Sequence, residues 1–344
     1  RRLLFASKPS ERGIYPVISQ MLSIISKSSC RRALLSSIAP TGANQLRVSL
    51  STKASSSSEK PLKYFSAWFC PFAHRATLAL EHHAVPYEWE EALGWETRQP
   101  TGDENFSAED RSSWEYHWKS PALLAANPLG MVPTLLDANS GRSVTESLVC
   151  IEFIDEVAQL RGSSAPSLLP GDPFDRARAR VAADDVNKTV CSAYYQVLVR
   201  TDAEERRQGF EKLQKGLLEF ARDAAREDRA FWGGDSPGLV DFVLLPYAYR
   251  FYVLEHYRGS GFAIPSGKRS EISADGGKDG EIWAWYHNWL RRCTALPSVA
   301  CTLPDKARYL EHVKKYAEGR ARSKVGNAVR RGVSAHAYED NVDG

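Results

Sequence analysis

The sequence lacks the long apolar run of a membrane span, because its hydrophobic residues occur in short clusters broken by charge or proline. A span needs roughly 20 consecutive apolar residues, so we expect no stable membrane span. The patterns Gly-x-Gly-x-x-Gly and Gly-x-x-x-x-Gly-Lys-Ser/Thr are also absent, which argues against a nucleotide cofactor. The chain has 344 residues, 43% of them hydrophobic, which is enough for two domains with sizeable cores.

Paired cysteines of the kind that hold metals are missing too. The six cysteines stand at positions 30, 70, 150, 191, 293 and 301, without a Cys-x-x-Cys pair or another paired metal-ligand spacing. Structural zinc is therefore not expected, and the sequence predicts no metal site.

Acidic residues are scarce at the start of the chain, where residues 1–63 hold eleven Lys and Arg against two acids. The basic, Ser-rich composition of residues 21–60 is typical of an organelle transit peptide, so we expect a mitochondrial or plastid location. The alternative is a disordered basic tail on a cytoplasmic protein. After residue 63 the chain is net acidic, with 34 basic and 40 acidic residues and no basic stripe with interleaved aromatics. This argues against nucleic-acid binding.

The first half of the chain predicts a small mixed α/β layer. Lys63–Trp68 has the aromatic residues of a strand, and apolar residues at helical spacing follow in Phe72–Ala84. Further strands are predicted at Tyr87–Leu93, at 134–136 and at 143–145, before a helix over Ser147–Val157. The polar, Trp-rich stretch Gly94–Trp118 fits neither pattern and is interpreted as an insertion.

Helical periodicity dominates from Asp172 onward. The predicted helices cover residues 173–201, 203–227, 239–256, 281–292 and 305–317. Gly259–Gly280 is rich in Gly, Ser and charge and predicts a mobile surface loop. The resulting division is a targeting or disordered segment over 1–60, an α/β domain over 61–160, a helical domain over 172–318 and a flexible tail over 319–344.

Cys70 stands where a predicted strand passes into a predicted helix. Pro71 is a natural first helical residue, so Cys70 occupies the N-cap, where unpaired backbone N–H groups and the helix dipole favour a thiolate. The position that would complete a dithiol is Ala73. A reactive Cys70 therefore needs an external thiol such as glutathione to resolve its mixed disulfide. A purely structural cysteine is the alternative.

Two further motifs are ambiguous by themselves. The Val132-Pro133 bond stands in a bend at the entrance to a strand and could be cis or an ordinary trans turn. Glu146-Ser147 opens a helix, either as a simple cap or as a site for the charged ends of a ligand.

The order and spacing of these motifs resemble the glutathione transferases. The segment Trp68-Phe-Cys-Pro-Phe-Ala-His-Arg75 is most similar to the cysteine-type omega class and its fungal and protist relatives. The resemblance covers roughly residues 61–318, and Leu168–Pro173 and Ala230–Asp241 support it in the second domain. It implies the glutathione transferase fold, an α/β thioredoxin-like N-terminal domain followed by an all-α helical C-terminal domain. It also implies glutathione as co-substrate and a homodimer.

The resemblance also implies roles for individual residues. Cys70 would form the mixed disulfide with glutathione, with Phe72 beside it. Val132 would pair its backbone with the cysteinyl unit of glutathione, and Pro133 would be a cis proline.

The remaining implied contacts hold the two ends of glutathione. Glu146 and Ser147 would bind the γ-glutamyl end, and Lys119 the glycine carboxylate. Tyr194, Tyr195 and Arg200 could belong to a co-substrate pocket, although core packing or a surface position explains them equally well. In the helical domain the family's capping box reads Gly238-Leu-Val-Asp241, which keeps the acid and replaces the hydroxyl with glycine.

We therefore expect an enzyme, a glutathione-dependent thiol transferase or reductase. Dehydroascorbate reduction, deglutathionylation and reduction of glutathionyl conjugates all fit. Conjugation of ordinary electrophiles fits less well, because related classes use a Tyr or Ser that stabilises the thiolate of glutathione. The alternative is a non-catalytic glutathione-binding regulator or a protein like the chloride intracellular channels, since one fold can serve several functions.

Overall fold

The first sheet is built around β1 (Leu62–Ser66), whose bulky apolar side chains are buried. The computed structural model describes residues 60–97, 113–225, 229–266 and 277–335. Residues 21–59 of the predicted transit peptide lie outside them. The elements around β1 are α1 (Pro71–His82), β2 (Tyr87–Glu91), α2 (Pro121–Ala126), β5 (Thr134–Leu136), β6 (Ser143–Val144) and α3 (Ser147–Leu160).

This sheet is mixed and has the strand order β2-β1-β5-β6. β1 pairs in parallel with β2, in the register Leu62 to Tyr87, and antiparallel with β5. β6 continues the sheet antiparallel to β5, so the predicted hairpin is confirmed. Helix α1 packs against α3, and its buried alanines and leucines form one part of the core.

A second sheet occupies the ends of the stretch interpreted as an insertion. β3 (Leu93–Thr97) and β4 (Glu115–Lys119) form an antiparallel pair in which Gly94 lies opposite Trp118. A Cβ on Gly94 would collide with the Trp118 indole, so glycine permits this close approach. Residues 98–112 lie outside the described residues.

The rest of the described chain is largely helical, which confirms the predicted fold class of a thioredoxin-like α/β domain followed by a helical one. A π-helical turn, Asn187–Cys191, joins the first two helices of this region. Among the described helices, none has an apolar stretch of the length that a bilayer requires. The helices are α4 (Pro173–Val186), α5 (Ser192–Val199), α6 (Ala203–Ala225), α7 (Leu239–Ala248), α8 (Tyr252–Arg258), α9 (Gly277–Ala295), α10 (Pro297–Ala300) and α11 (Lys306–Ala317).

Two helix predictions need correction. The helix predicted over 239–256 is divided into α7 and α8, with Tyr249 as the C-cap of α7 and Pro246 inside that helix. The helix predicted over 281–292 already begins at Gly277, within the predicted surface loop.

The predicted flexible tail over 319–344 is wrong for residues 321–335. There the chain forms β7 (Ala321–Arg322) and α12 (Lys324–Arg330). β7 pairs in parallel with β4 and makes it the central strand of the second sheet. Ala321, Ala328 and Val329 are buried. The burial of these apolar side chains holds the segment in place, although its basic composition predicts a flexible tail. Residues 336–344 lie outside the described residues.

Candidate functional site

The loop after β1 carries the chain to Cys70, which is the N-cap of α1, as predicted. The Cys70 amide donates to the Ala67 carbonyl at 3.0 Å, which closes the turn before the helix. The Cys70 Sγ lies 3.9 Å from the carbonyl oxygen of Val132. Among the four free cysteines of the described residues, Cys70 alone is partly exposed, so it is the accessible thiol of this part of the chain.

The ionisation of Cys70 differs from the prediction. Burial raises the pKa of the thiol, although the N–H groups of Ala73 and Phe72 and the guanidinium groups of Arg250 and Arg75 lower it. The unfavourable desolvation of a thiolate outweighs these favourable interactions. The prediction of a lowered pKa is therefore wrong.

A raised pKa predicts how alkylation of Cys70 depends on pH. We expect the rate with iodoacetamide to rise about tenfold per pH unit from about pH 6 to about pH 8.5 without a plateau, because only the thiolate reacts. The rate is measured by mass spectrometry of the Cys70 peptide, with free glutathione as a reference thiol. A plateau below about pH 8 would contradict a raised pKa.

The bend that faces Cys70 is held by Asn127. Its Nδ2 donates to the Met131 carbonyl at 3.2 Å and to the Thr134 Oγ1 at 3.1 Å, and the Thr134 hydroxyl also donates to the Met131 carbonyl. The Val132–Pro133 peptide bond is cis, as the resemblance implied. These bonds fix the Val132 carbonyl beside the thiol.

Glu146 and Ser147 lie at the start of α3 and differ in exposure. Glu146 is exposed and has a positive φ of 65°, a conformation that non-glycine residues adopt mainly at constrained positions. Ser147 is buried, and its Oγ accepts a hydrogen bond from Arg75 Nη1 at 3.0 Å. The γ-glutamyl role of both residues stays a prediction.

Arg75 is a site residue to which the sequence pattern assigned no role. Its side chain is fully buried and donates to the Val243 carbonyl, to the Asn187 Oδ1 and to the Cys191 Sγ, besides Ser147. It forms no ion pair with any carboxylate of the described residues. An uncompensated buried guanidinium is costly, so the hydrogen bonds that connect α1 to α3 and α7 are needed to hold it. The sequence feature that could have identified Arg75 as a site residue is its charge, five positions after Cys70.

A cavity of about 50 Å³ lies beside Cys70. Its lining includes four of the seven residues predicted to form the glutathione site, namely Cys70, Phe72, Lys119 and Val132. The other three are not part of this lining. Those three are Pro133, Glu146 and Ser147. The remaining lining residues are Phe69, Pro71, Leu93, His117, Gly130, Met131, Tyr195, Tyr309, His312, Val313, Tyr316, Ser323, Lys324 and Val325.

Lys119 reaches the cavity over Gly130. A Cβ on Gly130 would collide with the Lys119 side chain, and Gly130 also has a positive φ of 61°, which favours glycine. The turn before the cis peptide thus leaves space for the lysine. This places Lys119 beside the Val132 bend, and its proposed contact with a carboxylate stays a prediction.

The helical region supplies the opposite wall. Tyr195 stacks on Phe72 with ring centroids 6.1 Å apart and planes 4° apart. Tyr194 is completely buried, and Arg200 pairs with Glu205. Of the three residues considered for a co-substrate pocket, Tyr195 alone lines this cavity.

Residues 323–325 also line this cavity, although they belong to the segment predicted to be a flexible tail. The Ser323 Oγ accepts hydrogen bonds from the Tyr316 hydroxyl and from the Gly326 amide, both at 3.0 Å. Lys324 is 9% exposed. Within the described parts of the chain, no group of three or more His, Cys, Asp or Glu is placed to hold a metal ion.

Comparison with known proteins gives a consistent set of relatives. Residues 69–157 match the family model described as glutathione S-transferase, N-terminal domain. The chain is 33% identical over 199 residues to the probable glutathione S-transferase parC of Nicotiana tabacum, covering 57% of this chain and 78% of that protein. It is 30% identical over 250 residues to a probable glutathione S-transferase of the same plant, and the match covers 72% of this chain and 91% of that protein.

Solved structures share the fold. Rice GST1 (OsGSTU1) in complex with glutathione is 26% identical, with a TM-score of 0.56 and coverage of 76% of this chain and 100% of that chain. Glutathione transferase Omega 3C from Trametes versicolor is 24% identical, with a TM-score of 0.54 and coverage of 76% of this chain and 92% of that chain. These neighbours confirm the predicted architecture, and they include both plant and fungal proteins.

Proposed function

The chain belongs to the glutathione S-transferase family, and we propose that within this family it acts as a glutathione-dependent thiol transferase through Cys70. The observation that carries the proposal is a partly exposed free thiol at the N-cap of α1, 3.9 Å from the carbonyl before the cis Pro133. A cysteine at this position can form a disulfide with glutathione, which a serine or tyrosine cannot do.

The proposed reaction has two thiol exchanges. The Cys70 thiolate attacks the glutathionyl sulfur of a mixed disulfide, a sulfur–sulfur bond forms to Cys70, and the other thiolate leaves and takes a proton from water. A second glutathione thiolate then attacks the Cys70–glutathione disulfide, which releases glutathione disulfide and regenerates Cys70. Overall the substrate disulfide is reduced and one glutathione is oxidised. Glutathionyl conjugates and dehydroascorbate are further substrates of the same proposal.

The proposal assigns glutathione to the groove between the cis bend and α3. The Val132 backbone binds the cysteinyl unit, Lys119 the glycine carboxylate, and Glu146 with Ser147 the γ-glutamyl end. Arg75 positions Ser147 through the 3.0 Å hydrogen bond to its Oγ. The homodimer and the organellar location stay predictions.

Two observations favour the alternative, a non-catalytic glutathione-binding protein. Burial raises the pKa of Cys70, which lowers the thiolate fraction at neutral pH, and the cavity of about 50 Å³ excludes all but small second substrates. The exposure of Cys70 favours the enzyme, because a purely structural cysteine is usually buried.

The two functions are separated by activity measurements on the purified protein. We expect glutathione-dependent reduction of 2-hydroxyethyl disulfide to exceed conjugation of 1-chloro-2,4-dinitrobenzene, each relative to its uncatalysed rate. Glutathione binding is measured in parallel by calorimetry. Binding without turnover of either substrate would favour the regulatory protein, and conjugation without disulfide reduction would refute the thiol-transferase mechanism.

A further inference from the structure

The wall of the cavity beside Cys70 contains a buried lysine without a partner. Lys324 is 9% exposed and lines the cavity together with Cys70. Within the described ranges its ammonium makes no hydrogen bond and no ion pair, in contrast to Lys315, which pairs with Glu115. The ammonium therefore has no counter-charge among the described residues, and an anion in the cavity would supply one.

Lys324 is held in place by its neighbours. Ser323, directly before it, is N-cap of α12 and is fixed by hydrogen bonds to Tyr316 and to the Gly326 amide. On the preceding side, β7 pairs with β4 through Ala321 and Arg322. A lysine fixed on both sides loses little further backbone freedom on binding a ligand, which favours recognition.

The ionised residues in the described part of the cavity lining are basic. Among the residues that the structure describes, its lining includes two lysines, Lys119 and Lys324, and no aspartate or glutamate. His312 in the same lining is kept neutral, because burial and the nearby positive charges of Lys315 and Arg308 lower its pKa to about 2. Positive groups without acids in a partly enclosed site attract anionic ligands.

We propose that this cavity takes a small anionic co-substrate and that the Lys324 ammonium binds its carboxylate. The proposal rests on the proposed thiol-transferase function and specifies its substrate class. Lys119 is already assigned to the glycine carboxylate of glutathione, which leaves Lys324 for the second substrate. The volume of about 50 Å³ and the aromatic side chains of Phe72, Tyr195 and Tyr316 favour a short aliphatic carboxylate over a bulky one.

The reaction on such a substrate follows the same exchange. The probe is the mixed disulfide of glutathione and 3-mercaptopropionate. The Cys70 thiolate bonds to the glutathionyl sulfur, the disulfide bond of the probe breaks, and its electron pair leaves on the sulfur of 3-mercaptopropionate, which takes a proton from water. Glutathione then reduces the Cys70 disulfide and is released as glutathione disulfide. Lys324 contacts the carboxylate and takes no part in the bond changes.

The test compares this anionic probe with a neutral one, the mixed disulfide of glutathione and 2-mercaptoethanol. For K324Q we expect the ratio of kcat/KM for the anionic over the neutral probe to fall about tenfold, because one charged hydrogen bond is lost. K324R is expected to keep the ratio, since it keeps the charge. K212Q, at an exposed lysine of α6, serves as the matched control and is expected to leave this ratio unchanged.

A second measurement does not depend on turnover. Propionate is expected to slow alkylation of Cys70 by neutral iodoacetamide in the unmutated protein and in K324R, and not in K324Q. If neither probe is turned over while this protection is present, the proposed function fails and the anion site stands. An unchanged probe ratio in K324Q, or absence of protection in the unmutated protein, would overturn the proposal. An equal rise in the KM for glutathione with both probes would also overturn it, since Lys324 would then bind glutathione itself.

Discussion

The C70S variant is expected to lose glutathione-dependent disulfide reduction completely. A serine oxygen cannot form the disulfide with glutathione that the two-step exchange requires. Serine differs from cysteine by one atom, and Cys70 is partly exposed, so the fold should be kept. The measurement is the initial rate of 2-hydroxyethyl disulfide reduction, together with the intact mass of the protein after incubation with glutathione disulfide. Only the unmutated protein should gain the mass of one glutathione.

The matched control for this variant is C293S. Cys293 is a free cysteine that is completely buried in α9, and its replacement is expected to leave the specific activity of the folded protein unchanged. Disulfide reduction that persists in C70S, or that disappears equally in C293S, would show that Cys70 is not the attacking thiol. Glutathione binding should survive in C70S, because the proposed contacts with Val132 and Lys119 are intact.

The D241A variant is expected to lower the free energy of unfolding by about 3–5 kcal/mol. Asp241 is completely buried, and its carboxylate accepts hydrogen bonds from the amides of Trp232, Gly233 and Gly238 and from the indole of Trp289. Alanine would leave four donors without an acceptor, three of them on the loop before α7. The measurement is urea unfolding followed by tryptophan fluorescence.

D235A is the matched control, because Asp235 is an exposed acid of the same loop. We expect its free energy of unfolding to change by less than about 0.5 kcal/mol. Similar unfolding midpoints for D241A and D235A would contradict the importance of the buried carboxylate. The result also bears on the Gly238 N-cap, since Asp241 accepts the Gly238 amide at 2.8 Å and so stabilises a helix start that has no side-chain hydroxyl.

Local signals predicted the part of the site around α1. Pro71 after Cys70 marks a helix start, and the Asn127–Pro133 segment marks a bend, because both depend on residues adjacent in sequence. The pKa of Cys70 is raised because burial outweighs the effect of the helix N-terminus. The walls beside the thiol include Tyr309 and Tyr316, which come from a distant part of the chain and give no local signal.

The wall formed by residues 323–325 could not be predicted in the same way. The segment is basic and short, and its ordering depends on the pairing of β7 with β4, whose residues are distant in sequence. The contacts of Arg75 also depend on residues that are distant in sequence. A charged residue on a buried helix face is recognisable, but its partners Ser147, Asn187 and Val243 belong to three other segments.

The pairing of β7 with β4 has a consequence for the newly made protein. Glu115 and Arg320, which form an ion pair beside this pairing, are 205 residues apart. At about 5–20 residues per second, roughly 10–40 s pass on the ribosome between the synthesis of these two residues. During this time the residues that complete the cavity around the Cys70 thiol, Lys324 among them, have not yet been synthesised. The nascent chain therefore presents an open thiol until β7 and the residues after it have been made.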